Sequence, residues 1–208
     1  MSLNWLNGEH KISAIHNSVP MIRLLSKHKC YNATEVEVTI DNHYHKECSC
    51  GIVSSGTLRM FGERLFEAQT KSWGECRYTL DECIAWERDL FTTKTLRGLL
   101  FEERAIGALR QRFPSLTVSE TTGYLDEEAK IDAVVSDGGK VFCGVQVKPE
   151  SYKKADSDVK ESNKKGNELV DFPIFYLFYD NGAFTNMDKV ATSIRAIWLF
   201  TLHGSKSL

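Results

Sequence analysis

Residues 130–152 read KIDAVVSDGGKVFCGVQVKPESY, and this stretch limits the possible folds more than any other. Two runs rich in Val, Ile and Phe flank Ser136-Asp137-Gly138-Gly139, a turn signature that predicts a β-hairpin. Side chains alternate along a strand, so Gln146 and Lys148 share one face while Val145 and Val147 take the other. A turn at Asp137–Gly139 pairs residues whose numbers sum to about 277, which sets Asp132 beside Val145 and Gln146. A carboxylate, an amide and an ammonium then converge at one sheet edge. The solvated face of an ordinary antiparallel sheet also carries such residues, so the surrounding elements have to decide.

Those elements are well marked from residue 95 onward. The stretch 95–113 predicts a helix with Leu99, Ile106, Leu109 and Phe113 on one stripe, and Pro114 stops it. Residues 115–121 read as a strand, and the hairpin follows. Residues 150–170 read as an exposed helix ending near Gly166, 172–180 as a fully buried strand, and 186–200 as a final helix. The order helix, three strands, helix, strand, helix predicts an α/β sandwich around a small mixed sheet flanked by helices. Residues 1–94 read differently, as a mixed α+β region. They hold a helix over 19–29, a strand over 33–41 and a helix over 79–91, where Thr79 and Glu82 fit a capping box.

Composition narrows the function classes. At 208 residues the chain can bury a proper core, and its net charge of −2 means that any nucleic-acid surface must be a local patch. No apolar run approaches a membrane span, and the N-terminus lacks a signal-peptide pattern, so a cytoplasmic protein with reduced thiols is expected. There is no Gly-rich phosphate loop, no nucleophile elbow and no His-Glu-x-x-His zinc motif.

The pattern Asp132, thirteen residues, then Gln146-x-Lys148 resembles the signature of PD-(D/E)XK nucleases, in the variant where Gln replaces the usual acidic residue. The element order over 95–200 is similar to that family's αβββαβ core. Two departures are visible: Asp132 follows Lys130-Ile131 rather than a proline, and Gln146 removes a negative charge from the site. The resemblance implies a restriction-endonuclease-like core over 95–208 and a type II restriction endonuclease acting on double-stranded DNA, often as a homodimer on palindromes. It also implies a glutamate on the preceding helix, where Glu102 and Glu103 are available and Glu102 shares the core-side face with Leu99 and Ile106.

Phosphodiester cleavage needs a cation that stabilises phosphate charge and lowers the pKa of an attacking water. Mg²⁺, with Mn²⁺ as a substitute, takes oxygen ligands and keeps several waters. Asp132 would be the main ligand, joined by the Gln146 amide oxygen, the Val147 carbonyl and Glu102. Lys148 would position or deprotonate the water. Lys153 and Lys154 are weaker candidates for DNA phosphates, because a mixed-charge run is usually a solvated helix face, and Tyr152 either supports them or simply packs. Residues 1–94 would then supply dimerisation or base readout. A repair nuclease or junction resolvase keeps the same chemistry, and an inactive DNA-binding module keeps only the fold.

A second cluster, His28, Cys30, His43, His45, Cys48 and Cys50, raises a structural zinc site. The one-residue gaps in His43-x-His45 and Cys48-x-Cys50 argue against it, and a polar loop with free thiols is expected.

Overall fold

Four side chains open four of the helices in the first hundred residues. Ser2, Asn32, Thr57 and Thr79 each accept a backbone N–H from the first turn of the helix they precede. The computed structural model describes residues 2–13 and 21–204. It divides into two units, Met1–Leu100 and Phe101–Leu208.

In the first unit the helices are α1 (Leu3–His10), α2 (Met21–His28), α3 (Ala33–Tyr44), α4 (Leu58–Trp73) and α5 (Leu80–Asp89), followed by a π-helical segment, Leu90–Thr95. Residues 19 and 20 of the helix expected over 19–29 lie outside the described residues; Met21–His28 is helical as expected. The capping box at Thr79 forms in full, with the Glu82 side chain accepting from the Thr79 N–H at 2.7 Å. The strand expected over 33–41 is a helix, so the regular elements among the described residues of this unit are all helical. Val36 and Ile40 are buried four residues apart, while Val38 between them is exposed. That is helical spacing, and Asn32 caps the helix: its Oδ1 accepts the Glu35 N–H while its Nδ2 donates to the Glu35 carboxylate. Leu6, Leu25, Val36, Ile40, Phe61, Leu65 and Phe91 centre the core. Gly62 lets α4 and α5 touch: a Cβ there would fall 2.6 Å from the Ile84 Cα.

The second unit is built on a five-stranded mixed sheet in sequence order. Its strands are β1 (Thr117–Glu120), β2 (Ala133–Asp137), β3 (Lys140–Pro149), β4 (Ile174–Asp180) and β5 (Ala183–Phe184). β3 and β4 pair parallel, and every other pair is antiparallel. The hairpin turn uses Gly138 and Gly139 at φ 54° and 86°, the conformation a two-residue hairpin loop demands. A bulge between Val135 and Ser136 moves the pairing by one residue, so Ala133 lies opposite Val145.

One face of this sheet presents Val118, Val135, Cys143, Val145, Val147 and Leu177 to the helices α6 (Leu96–Arg112) and α9 (Met187–Gly204), through Ala105, Leu109, Val190 and Ile194. A smaller cluster holds Ile131, Val134, Phe172 and Ile174. Between the strands lie the short helix α7 (Tyr124–Glu127), a 3-10 turn (Glu150–Lys154) and α8 (Ser157–Asn167). The single helix expected over 150–170 is therefore two pieces. β4 is only partly buried, against the fully buried strand expected. Its Leu177 faces the core, whereas Tyr176 and Phe178 stack with one another on the other face. No helix among the described residues is long and apolar enough to cross a membrane.

Candidate active site

The site starts where β2 begins. Lys130 adopts a left-handed φ of 61°, buried Ile131 anchors the chain, and Asp132 follows. The Asp132 N–H donates to the Val145 carbonyl at 3.0 Å, continuing the ladder one step beyond the strand. Its Oδ2 accepts the Val147 N–H at 2.6 Å. The carboxylate is thereby fixed on β3 between Gln146 and Lys148, close to where the hairpin arithmetic sets it. Val147 reaches Asp132 through its N–H, a different atom from the carbonyl considered as a ligand.

Electrostatics identifies the neighbours. The Glu102 carboxyl on α6 is pushed up to about 8, first by burial and then by the charge of Asp132, against the pull of Lys148; Asp126 and Glu120 add smaller upward pushes. Asp132 is pushed up to about 6 by burial, opposed by Lys148 and by the Val147 N–H, with a further push from Asp126. Asp126, on α7, is raised by burial, by Glu127 and by Glu120, against Lys130 and Lys148. Glu102, Asp132, Lys148 and Asp126 therefore share one neighbourhood. Glu103 is exposed, whereas Glu102 is half-buried on the same helix.

Asp126 and Glu120 are absent from the sequence-derived set. For Asp126 the signal is a run of acids between two strands, which an ordinary loop also has, and Glu120 is a single polar residue at the end of β1.

Gln146 is fully buried. Its Nε2 donates to the Lys130 carbonyl, and its Oε1 is buried without a hydrogen-bond partner among the described residues. A buried amide oxygen costs about 1–3 kcal/mol when unpaired. The carboxylates of Asp132, Glu102 and Asp126, which sense one another's charge, offer the oxygen type of ligand that a hard divalent cation takes.

Lys153 bridges to Glu150 at 2.6 Å and lies 4.4 Å from the centre of the Phe178 ring. Tyr152 stacks on Tyr176. Lys154 is exposed.

Of the six His and Cys residues, His28, His43, Cys48 and Cys50 come together, with ligand atoms all within 4.8 Å of one another. Hydrogen bonds from His28, the Ile52 N–H, His43 and Cys48 draw the Cys50 thiol down to about 6. Cys30 bonds Thr39 instead, and the His45 ring packs on Tyr44.

With this geometry in hand, the chain can be compared with known proteins. The sequence profile of the MjaI restriction endonuclease matches residues 41–185, more than half of the chain and a span that includes Glu102, Asp132, Gln146 and Lys148. The class is thus that of restriction endonucleases. The chain belongs to the MjaI restriction endonuclease family. No curated protein and no solved structure matches it.

Proposed function

We propose that the chain is a Mg²⁺-dependent type II restriction endonuclease that hydrolyses phosphodiester bonds of double-stranded DNA with a variant PD-(D/E)XK site. The observation that carries this reading is the Asp132 carboxylate held 2.6 Å from the Val147 N–H, its charge felt by Glu102 and opposed by Lys148. The order α6, β1, β2, β3, α8, β4 supports an αβββαβ core. Asp132, Glu102 and Gln146 would hold the cation, and Asp126 would contribute charge. When bound, the cation stabilises phosphate charge and acidifies a water.

The chain's own groups do the rest. Val147 fixes the Asp132 carboxylate in one orientation. The Lys148 ammonium faces the carboxylates and orients the attacking water toward phosphorus, where it offsets developing negative charge. Water adds its oxygen to phosphorus and gives up one proton to solvent, the bond to the sugar oxygen breaks, and the leaving alkoxide takes a proton from solvent. Glu102 supplies the negative charge that Gln146 lacks relative to an acidic residue. Because a two-fold protein reads a two-fold sequence, a homodimer on a palindrome is the simplest assembly.

One observation favours the inactive-module reading: the Gln146 amide is engaged by the Lys130 carbonyl. Incubation with plasmid and genomic DNA, with Mg²⁺ or EDTA, separates the two readings. Discrete Mg²⁺-dependent fragments that vanish in Asp132→Ala and Lys148→Ala are the expected result. A smear would point to a repair enzyme. No cleavage of duplex, branched or methylated DNA would leave only binding.

A further inference from the structure

The second cluster lies wholly in the first unit and has no part in the chemistry above. His28 is the last residue of α2, His43 lies in the last turn of α3, and Cys48 and Cys50 sit in the loop that follows. That loop is folded back on the helix ends. Lys46 and Gly51 take left-handed φ values of 59° and 81°, the Glu47 N–H bonds the Asn42 carbonyl, and the Ser54 N–H bonds the His43 carbonyl. Lys27 Nζ holds the Cys50 carbonyl at 3.2 Å.

His43 is prepared for a metal. Its ring is 2% exposed, and its Nδ1 lies 2.6 Å from the Thr39 carbonyl oxygen. A carbonyl only accepts, so Nδ1 carries the hydrogen and Nε2 presents its lone pair. A carbonyl on the far nitrogen is the usual second partner of a metal-bound imidazole. Nε2 points at Cys50 Sγ, 3.1 Å away, while His28 Nε2 is 3.9 Å from Cys48 Sγ. The two rings meet edge to face at 4.7 Å.

A tetrahedral zinc with bonds of about 2.3 Å to sulfur and about 2.0 Å to nitrogen has ligand–ligand edges of roughly 3.3–3.8 Å. The two close contacts fall near those edges. The widest separation in the cluster, at most 4.8 Å, exceeds them by on the order of 1 Å, which rotation of exposed His28 or of the loop thiols takes up. The single-residue gap in Cys48-x-Cys50 does not exclude this, because the turn after Lys46 brings both sulfurs to the same side of the loop.

We propose that His28, His43, Cys48 and Cys50 bind one structural Zn²⁺ that ties the ends of α2 and α3 to the loop after α3. Two thiolates and two imidazoles fill a tetrahedral shell and leave no open position for a substrate. Cys30 and His45 are not ligands.

The test is metal content and cobalt spectroscopy on the full chain, purified under reducing conditions. About one zinc per chain should survive dialysis. Replacement by Co²⁺ should give tetrahedral visible bands and a thiolate-to-cobalt charge-transfer band. Cys48→Ser and Cys50→Ser should lose the zinc, whereas Cys30→Ser and His45→Ala keep it. Asp132→Ala should also keep it, which makes the result independent of the nuclease reading. A chain that takes up no Co²⁺ with thiolate bands overturns the proposal, even if the cysteine variants fail to fold. So does zinc that persists in Cys50→Ser, or zinc that leaves with Asp132→Ala.

Discussion

At the proposed site, protons and a divalent cation would compete for the carboxylates of Glu102 and Asp132. In an unfolded chain these groups titrate near 4.3 and 3.9, and in the metal-free fold they sit up to about 8 and about 6. Between those limits the folded chain binds more protons than the unfolded one, so stability falls as pH rises. Buried Glu87, raised to about 7 beside the Ser13 hydroxyl, adds a contribution of the same sign. The urea midpoint in EDTA should therefore drop from about pH 5.5 to about pH 8, and Glu102→Gln should flatten the drop more than Glu103→Gln. A midpoint that rises, or equal behaviour of the two variants, would remove Glu102 from the site. In Mg²⁺ the sign reverses for the site: the cation must displace those protons, so its affinity should climb over the same interval. For cleavage, Lys148→Ala and Asp132→Asn should cost on the order of 10²–10⁴-fold in rate while the far-UV spectrum is kept. The placement of Asp132 against β3 is readable in the sequence because a two-residue turn fixes which strand residues meet. Asp126 is not, because a four-residue helix in a loop has no periodicity to reveal what it faces.

At the scale of elements, legibility follows how local the deciding force is. The capping box of α5 needs only Thr79 and Glu82, so it appears in the sequence as in the fold. Thr79→Ala should cost about 1 kcal/mol in a urea melt, and an unchanged midpoint would show that the cap contributes nothing. The hairpin is equally local, apart from the bulge that shifts its pairing by one. α3 fails in the other direction. Its β-branched residues alternate, but burial picks out Val36 and Ile40, and the Asn32–Glu35 cap outweighs strand propensity. The contact of α4 with α5 is invisible from sequence, since nothing marks Gly62 as different from any helix glycine. Helix propensity alone says that Gly62→Ala stabilises by about 1 kcal/mol. The 2.6 Å approach to the Ile84 backbone says the reverse, a loss of about 1–3 kcal/mol from overpacking. A lower melting temperature for Gly62→Ala decides for packing, and a higher one decides for propensity.

For the whole molecule, the difficulty is to bring an acidic chain onto a polyanion. The net charge is −2, and the proposed site sets Glu102, Asp126 and Asp132 against the single ammonium of Lys148. Above about pH 8, where Glu102 is ionised as well, a phosphate entering there without a cation meets like charge at short range, where salt screens little. Duplex affinity should therefore be weaker in EDTA than in Ca²⁺, a cation of the same charge that fills oxygen sites. Asp132→Asn should narrow the gap by removing one repulsive charge. Attraction must come from local cations, and the run after β3 is where they gather: Lys153, Lys154, Lys160, Lys164 and Lys165. Several already answer to acids of the same segment, Lys153 to Glu150 and Lys165 to Glu161, so few are available to DNA. If Lys153 and Lys154 both touch phosphates, replacing the pair with Gln should reduce the slope of log K against log salt by about 2 in fluorescence anisotropy. The loss should be similar for cognate and unrelated duplexes, because phosphate contacts carry no base information. An unchanged slope would return both lysines to the solvated face that their mixed-charge surroundings suggest, and would move the search for DNA-binding cations away from this segment.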